Sequence, residues 1–587
     1  MSTSRRGRPA LWLLLAVLLP LVVACSMLPD QGAVHRRTAT RGAGQAQQVP
    51  YFDPPGPARG ASQEQIVKGF VTAMQAIPLN PAAARSFLSD RARSVWQPNG
   101  GTIVYQASNV QRTRHGVGLR LSDAHRLDSR GGWRAGPTHN QTLHLRLVRE
   151  KGQWRIDNPV DALIVSAETF QSQFTPFNLY FYDRNGRVLV PDPVYVPRGE
   201  ETATNLVHGL LAGPDPRLAP AVRNAFPTGT NLDLSVVVTD NGIADVPLSN
   251  QVLKLSPDEV GRAIIQLART LRAVPGIHRV RMTVGGQTLA MPDGRTSVSV
   301  DEGVEFEPTG VGASHQVIGI RNGRVVTLGH GVGQPIAGPL GRHGYALRSL
   351  ALDRSGGRVA AVAADGSTVF VSSQTPRQET HRVFEHGNNL LRPMYDLYGR
   401  LWLVDRTPNG AVVHVLRGRR DRVVRFPGIS GQDVDAFSVS PDGSRLAVSL
   451  TGGSRPRVEV ATILRGQGGT VLHGLQPRPI PVASYTQDDP GPSVDVGWRS
   501  ATQVAVLTHP RSGLSQVVYT MADGSPGGSE PIAPEPFNGS ARELVVNADG
   551  RLPLMLVDST GRLDRIDEAG KWQSMGVAHV AAAAYAN

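Results

Sequence analysis

The chain has 587 residues, 40% hydrophobic, 5% aromatic and 19% charged, with 64 Gly, 44 Pro and a formal net charge of +13. At about 100 to 200 residues per domain this length holds about three domains, each able to bury a core. Gly and Pro are spread along the chain, which points to a turn-rich, β-dominated protein and excludes collagen-like or disordered classes. The single cysteine, Cys25, excludes an internal disulfide, a Cys-ligated zinc site and a CxxC redox pair.

Residues 1–24 read as a signal peptide. Met1–Arg8 contains Arg5, Arg6 and Arg8 and no acid, and Leu11–Val23 is an apolar run interrupted only by Pro20. The run falls short of the roughly 20 apolar residues that a membrane-spanning helix needs. It ends in Val22-Val23-Ala24-Cys25, which resembles the bacterial lipobox. That resemblance implies cleavage between Ala24 and Cys25, S-diacylglycerol on Cys25 and an acyl chain such as palmitate on its freed amino group. Two or three chains are needed because each buried CH₂ contributes about 0.8 kcal/mol, so that one chain anchors only marginally. The expected location is the extracytoplasmic face of the cell membrane. Arg5-Arg6 lacks the apolar residues that follow in a twin-arginine signal and counts as ordinary leader charge. Without the three leader arginines the charge falls from +13 to +10. Such a balance draws a protein toward anionic lipid or acidic wall polymer, or reflects an arginine-rich composition alone, since only Lys68, Lys151, Lys254 and Lys571 are lysines. No basic block interleaves with aromatics as a nucleic-acid groove requires.

Residues 25–60, rich in Gly, Pro, Gln and Arg, form a flexible tether behind the lipidated cysteine. Residues 61–176 open with Ser62 as N-cap, Gln65 three positions later, and Ile66, Val67, Phe70, Val71, Met74 and Ile77 at helical spacing. Further turns around Pro81, Phe87 and Trp96 precede strands over 102–110, 116–121, 143–148 and 154–156, with a hairpin turn at Lys151-Gly152. Helices followed by a curved sheet resemble the α+β cone of nuclear-transport-factor 2 (NTF2-like) proteins. Trp133 and Trp154 read as core residues rather than pocket walls.

Residues 177–309 form a second α+β domain. Strands are expected over 178–182, 232–238, 242–246 and 280–284, and helices over 200–211 and 258–271, the latter capped by Ser256 with Pro257 at its first position. The opening Tyr180-Phe181-Tyr182, the helix end Leu210-Leu211-Ala212-Gly213-Pro214 and the turn Phe226-Pro227-Thr228-Gly229-Thr230 resemble the GerMN domain of sporulation and germination lipoproteins. The resemblance implies an extracytoplasmic scaffold or interaction domain with no assigned catalytic residues.

Residues 310–587 are short apolar strands between Gly- and Asp-rich turns. Strand starts align at Arg358, Arg400, Arg445, Gln503 and Arg551, 42 to 58 residues apart, close to the period of a four-stranded blade. A β-propeller of about five to six blades follows. Gln316–Leu328 is available for a sixth blade, closed by strands from the far C-terminus. The Asp-Gly pairs at Asp365, Asp442, Asp523 and Asp549 read as hairpin turns in which Gly takes positive φ, not as calcium ligands.

Catalytic and metal motifs are sparse. His381, Glu385 and His386 cluster without an HExxH pattern, and Gly329, Gly331 and Gly333 around His330 precede no helix that would receive a phosphate. No GxSxG elbow follows a strand. The reading is no enzyme, no cofactor, no metal and no nucleic acid. The whole order, including Ser438-Val439-Ser440-Pro441-Asp442-Gly443-Ser444-Arg445-Leu446-Ala447 and Gly399-Arg400-Leu401-Trp402-Leu403-Val404-Asp405, resembles the LpqB family of actinobacterial lipoproteins. That resemblance implies a membrane-anchored accessory that binds the extracytoplasmic domain of an MtrB-type sensor histidine kinase. Through it the two-component system is tuned, with effects on cell envelope and division. The competing class is a propeller that senses a wall-derived small ligand; a hydrolase is third.

Overall fold

The computed structural model describes residues 52–586, except 115, 292, 309–313, 330–332, 377–378, 452–456, 484–490, 511–512, 528–532 and 551. Ala24, Cys25, most of the tether, His330 and Gly331 therefore lie outside the described residues. From residue 52 onward the chain forms one compact unit built of three domains.

In the first domain, helix Gln63–Ala73 carries a full capping box: Gln65 N–H donates to Ser62 Oγ at 3.2 Å and Ser62 N–H donates to Gln65 Oε1 at 2.8 Å. The helix stops four residues before Ile77. Pro78 biases the preceding residue to extended backbone, and Ile77 instead pairs with Phe52. Ile66, Val67 and Phe70 pack on Leu119 and Leu121 of the sheet and on Trp96, the C-cap of the short helix Asp90–Val95. Thr102–Tyr105 and Ala107–Thr113, a strand broken at Gln106, share one edge of Gly116–Leu127, and Trp133–Leu145 takes its other edge. Leu163–Ser166 joins Thr102–Tyr105 in parallel. The hairpin Leu147–Glu150/Gln153–Ile156 turns at Lys151 (φ 50°) and Gly152 (φ 77°), the backbone that a two-residue hairpin loop demands.

The second domain begins at strand Phe174–Asp183, slightly before the sequence boundary, paired with Leu189–Pro197. Its other sheet places Ile243–Pro247 parallel to Arg279–Val284, joined by helix Pro257–Leu271 as a crossover. That helix buries Val260, Ile264, Leu267 and Leu271 against Leu179, Phe181 and Val280. The strand expected over 232–238 shrinks to Val237–Val238. Val236 N–H donates to Thr204 Oγ1 at 3.0 Å instead of to a ladder, and Leu232 makes one bridge, to Leu248.

The third domain is a six-bladed β-propeller. Blades 2 to 6 have inner strands Leu347–Leu352, Met394–Tyr395, Val434–Val439, Ser493–Trp498 and Ala541–Val545, each followed outward by antiparallel strands. Blade 1 takes its inner strand from the C-terminus: Val580–Tyr585 pairs with Val317–Arg321, so the two ends of the domain close the ring in one sheet. The repeated starts at Arg358, Arg400, Arg445 and Gln503 all fall at the second strands of their blades. The fifth does not: Arg551 lies outside the described residues and the strand starts at Met555, beyond Pro553, which has no N–H for the ladder. Gly366, Gly443 and Gly524 take positive φ as expected, whereas Gly550 does not.

Candidate binding sites at the domain junction and in the propeller channel

The first two domains are joined by a buried charge network. Arg130, in the turn between Gly116–Leu127 and Trp133–Leu145, reaches Asp192 at 2.8 Å and Asp128 at 3.0 Å and donates to the Gly213 carbonyl at 3.1 Å. Arg134 adds Asp128 at 2.9 Å and Asp215 at 3.3 Å. Burial pushes the Asp192 carboxyl up while Arg130 opposes the shift, so the guanidinium keeps an otherwise costly buried carboxylate tolerable. Beside it Tyr195 N–H donates to the Gly131 carbonyl at 2.8 Å. Gly131 has φ 86° and a Cβ there would lie 2.3 Å from the Tyr195 carbonyl oxygen, so only glycine permits this approach.

The second domain is tied to the propeller in turn. Tyr195 Oη accepts from Gly527 N–H at 2.9 Å and donates to its carbonyl at 3.1 Å; Tyr398 Oη donates to Asp183; and Arg445 donates to the Pro191 carbonyl at 2.8 Å. A cavity of about 400 Å³ remains where the three domains meet, lined by Arg130, Trp133, Arg217, Arg445, Arg478 and Asp523 among others. Trp133 thus serves both as core, packed on Phe170 and Tyr195, and as cavity wall. Trp154 is half-buried beneath Arg149, whose guanidinium lies 4.9 Å from the ring.

The propeller channel is divided by a charge triad. Arg392, just before the inner strand of blade 3, crosses the axis to Asp495 of blade 5 at 2.9 Å and to Glu543 of blade 6, the blade opposite, at 3.2 Å. It also donates to the Leu544 carbonyl at 3.0 Å. Asp495 accepts from the amides of Val496 and Leu544, each at 2.8 Å, and Glu543 from that of Ala583 at 3.3 Å. Burial raises both carboxyls above their ordinary range, with Arg392 pulling them back; Glu543 is pushed up to about 7. Two carboxylates facing one guanidinium leave one negative charge uncompensated, and a proton on Glu543 removes it.

Arg392 lines the spaces on both sides of this partition. The inner one, about 80 Å³, is walled by Leu350, Met394, Val439, Trp498 and Val545 and lies on the face that carries Arg354 and Pro441, toward the second domain. The outer one, about 250 Å³, opens on the opposite face, lined by Arg348, Asp435, Arg542 and the triad.

The sequence-level candidates lie elsewhere. His381 is exposed at the start of the outermost strand of blade 2, Glu385 pairs with Arg382 at 3.3 Å, and His386 sits at φ 67° in the following turn. Among the described residues no three His, Cys, Asp or Glu side chains are grouped as metal ligands. Arg130, Arg392, Asp495 and Glu543 were not singled out from the sequence. The available signal was a charged residue one or two places into otherwise apolar inner strands, recurring as Arg348, Asp435, Asp495 and Arg542-Glu543.

Comparison with known proteins follows this three-domain order. Residues 56–171 match the family described as Lipoprotein LpqB, N-terminal domain; 178–290 match Sporulation and spore germination; and 323–582 match the Lipoprotein LpqB beta-propeller domain. Lipoprotein LpqB of Cutibacterium acnes is 28% identical over 604 residues, covering 98% of this chain and all of that protein. Lipoprotein LpqB of Thermobifida fusca is 26% identical, covering 92% of this chain and 93% of its own. Among solved structures, the first GerMN domain of the sporulation protein GerM from Bacillus subtilis is 26% identical over 22% of this chain and 96% of that one, with a TM-score of 0.19. No helix among the described residues is long and apolar enough to cross a membrane, and the named relatives are lipoproteins. With its N-terminal domain and propeller both matched in order around a germination-type domain, the chain is similar over essentially its whole length to full-length proteins named Lipoprotein LpqB.

Proposed function

We propose that this protein is a lipid-anchored accessory on the extracytoplasmic face of the membrane, where it binds and modulates an MtrB-type sensor histidine kinase and so affects envelope and division. It acts by contact and not by catalysis. The observation that carries this reading is the fusion of three domains into one body through the Arg130 network, Tyr195 and Tyr398. Such a body offers a broad fixed surface, of the kind a stable protein contact needs, at little ordering cost on binding. An anchor on Cys25 confines it to the plane that holds the kinase and raises the effective concentration of each partner for the other.

The test is co-reconstitution of the lipidated full-length protein with the kinase in one bilayer, reading autophosphorylation, beside a Cys25→Ala form added from solution. The anchored form is expected to change the kinase rate at lower concentration than the unanchored one. An unchanged rate together with no crosslink between the two proteins in the shared bilayer refutes the reading.

A further inference from the structure

The outer mouth of the channel is built by a device that recurs from blade to blade. Five inner strands carry a β-bulge close to their N-terminal ends. The residues skipped by the ladder are Ala581 in blade 1, Arg348 in blade 2, Asp435 in blade 4, Val494 in blade 5 and Arg542 in blade 6. All five line the outer cavity. A bulge gives up ladder pairing to re-aim a side chain. Its recurrence at one level of the channel, with charged residues at three of the five positions, makes this ring a shaped lining.

The ring is polarised. Arg348 and Arg542 stand on the two blades flanking blade 1, and Asp435 stands on blade 4, directly across from it. Among the described residues the two arginines donate only to neutral oxygens: Arg348 to Asn389 Oδ1 at 2.9 Å and to the Leu390 carbonyl, with the Asp365 and Asp405 carboxylates near it but not bonded to it, and Arg542 to the carbonyls of Val580 at 2.6 Å and Ala581 at 2.9 Å. Asp435 makes no hydrogen bond or ion pair among the described residues. The floor is closed by Arg392, already engaged by Asp495 and Glu543.

We propose that this cavity binds a small zwitterion of amino-acid type, an amino acid or short peptide with a free ammonium and a free carboxylate, its carboxylate between Arg348 and Arg542 and its ammonium toward Asp435. A simple anion would leave Asp435 uncompensated, and a simple cation would meet the two rim guanidiniums. Only a dipolar ligand finds a complementary charge at both ends, so the ring selects by repulsion as well as by attraction. The volume of about 250 Å³ suits a molecule of this size and excludes a long chain. Glu543, being readily protonated, lets the floor stay neutral when no ligand is present. The inference goes beyond kinase contact and stands whether or not the kinase is the partner.

The experiment is isothermal titration of the full-length protein in detergent with alanyl-alanine. N-acetyl-alanyl-alanine, which lacks the ammonium, and alanyl-alaninamide, which lacks the carboxylate, are titrated in parallel. The free dipeptide is expected to bind at least about tenfold more tightly than either blocked form. Asp435→Asn, whose side chain holds nothing else in place, is expected to lose discrimination against the N-acetyl form while keeping it against the amide; Arg348→Gln reverses that pattern. Near-UV circular dichroism confirms that each variant is folded. Equal affinity for free and blocked dipeptides, no heat up to about 10 mM, or an unchanged profile in folded Asp435→Asn overturns the proposal. Kinase binding by the same variants is read separately, so that loss of one activity is not taken for loss of the other.

Discussion

Replacing Arg392 by methionine keeps most of the side-chain volume and removes the charge, so its cost isolates the triad. The guanidinium makes contacts of 2.9 Å to Asp495, 3.2 Å to Glu543 and 3.0 Å to the Leu544 carbonyl, and only about a fifth of its side chain is exposed. Removing one partner from a buried ionic cluster costs about 3–5 kcal/mol, because the remaining charges keep their desolvation without compensation. Glu543 modifies this figure with pH. Its carboxyl titrates near 7 in the fold against 4.5 when unperturbed, so the folded protein binds the proton more tightly. The stability from that proton is fully present below about pH 4.5 and is lost as pH rises through 7, a span of about 3 kcal/mol at most. Without Arg392 the carboxyl moves higher still, since burial and Asp495 both favour the neutral form and the Ala583 amide, at 3.3 Å, is left as a weak counterweight. If it moves by about one unit, the variant recovers about 1 kcal/mol relative to the wild type between pH 8 and pH 5.5. Urea unfolding followed by the fluorescence of buried Trp402 and Trp498 measures both values against the wild type. A loss below about 1 kcal/mol at pH 8, or a larger loss at pH 5.5 than at pH 8, refutes the assignment of Arg392 as the counter-charge of a proton-sharing pair.

Arg130→Met should cost about 3–5 kcal/mol and loosen the first domain from the second; faster hydrogen exchange at the Tyr195 amide reports it, and unchanged protection there argues against a clamp. Ending the chain after Asp549 removes Val580–Tyr585 and uncovers Val317–Arg321 as an edge strand, so the product should aggregate in size-exclusion chromatography; a monomer with unchanged thermal unfolding argues against closure by the C-terminus. Cys25→Ala should yield an unacylated precursor, because no other thiol exists to take the lipid; mass spectrometry that finds normal acylation sinks the assignment. Tyr195→Phe should cost about 1–2 kcal/mol through its two bonds to Gly527, read as a lowered unfolding midpoint, and no change in the midpoint counts against that tie.

Much of the molecule is legible in its sequence because local rules decide it. Ser62 with Gln65, and Ser256 with Pro257, announce helices whose caps are satisfied within one turn, and the Lys151-Gly152 turn is set by two left-handed residues in succession. The blade period survives because each second strand needs the same alternation after the same kind of turn, and it fails at Arg551 where Pro553 cannot join a ladder. Local pattern also fails at Leu232–Val238, where a helix side chain, Thr204, takes the amide that a strand would have used. The sites needed the tertiary structure for a different reason. Arg392 meets Glu543 from 151 positions away, and Arg130 meets Asp192 from 62. No local spacing encodes such partners, because ring closure and domain docking bring them together. Charge type along the chain was visible from the start; which charges face one another across the channel was decided only when Val580–Tyr585 closed the ring and the bulges turned Arg348, Asp435 and Arg542 toward its mouth.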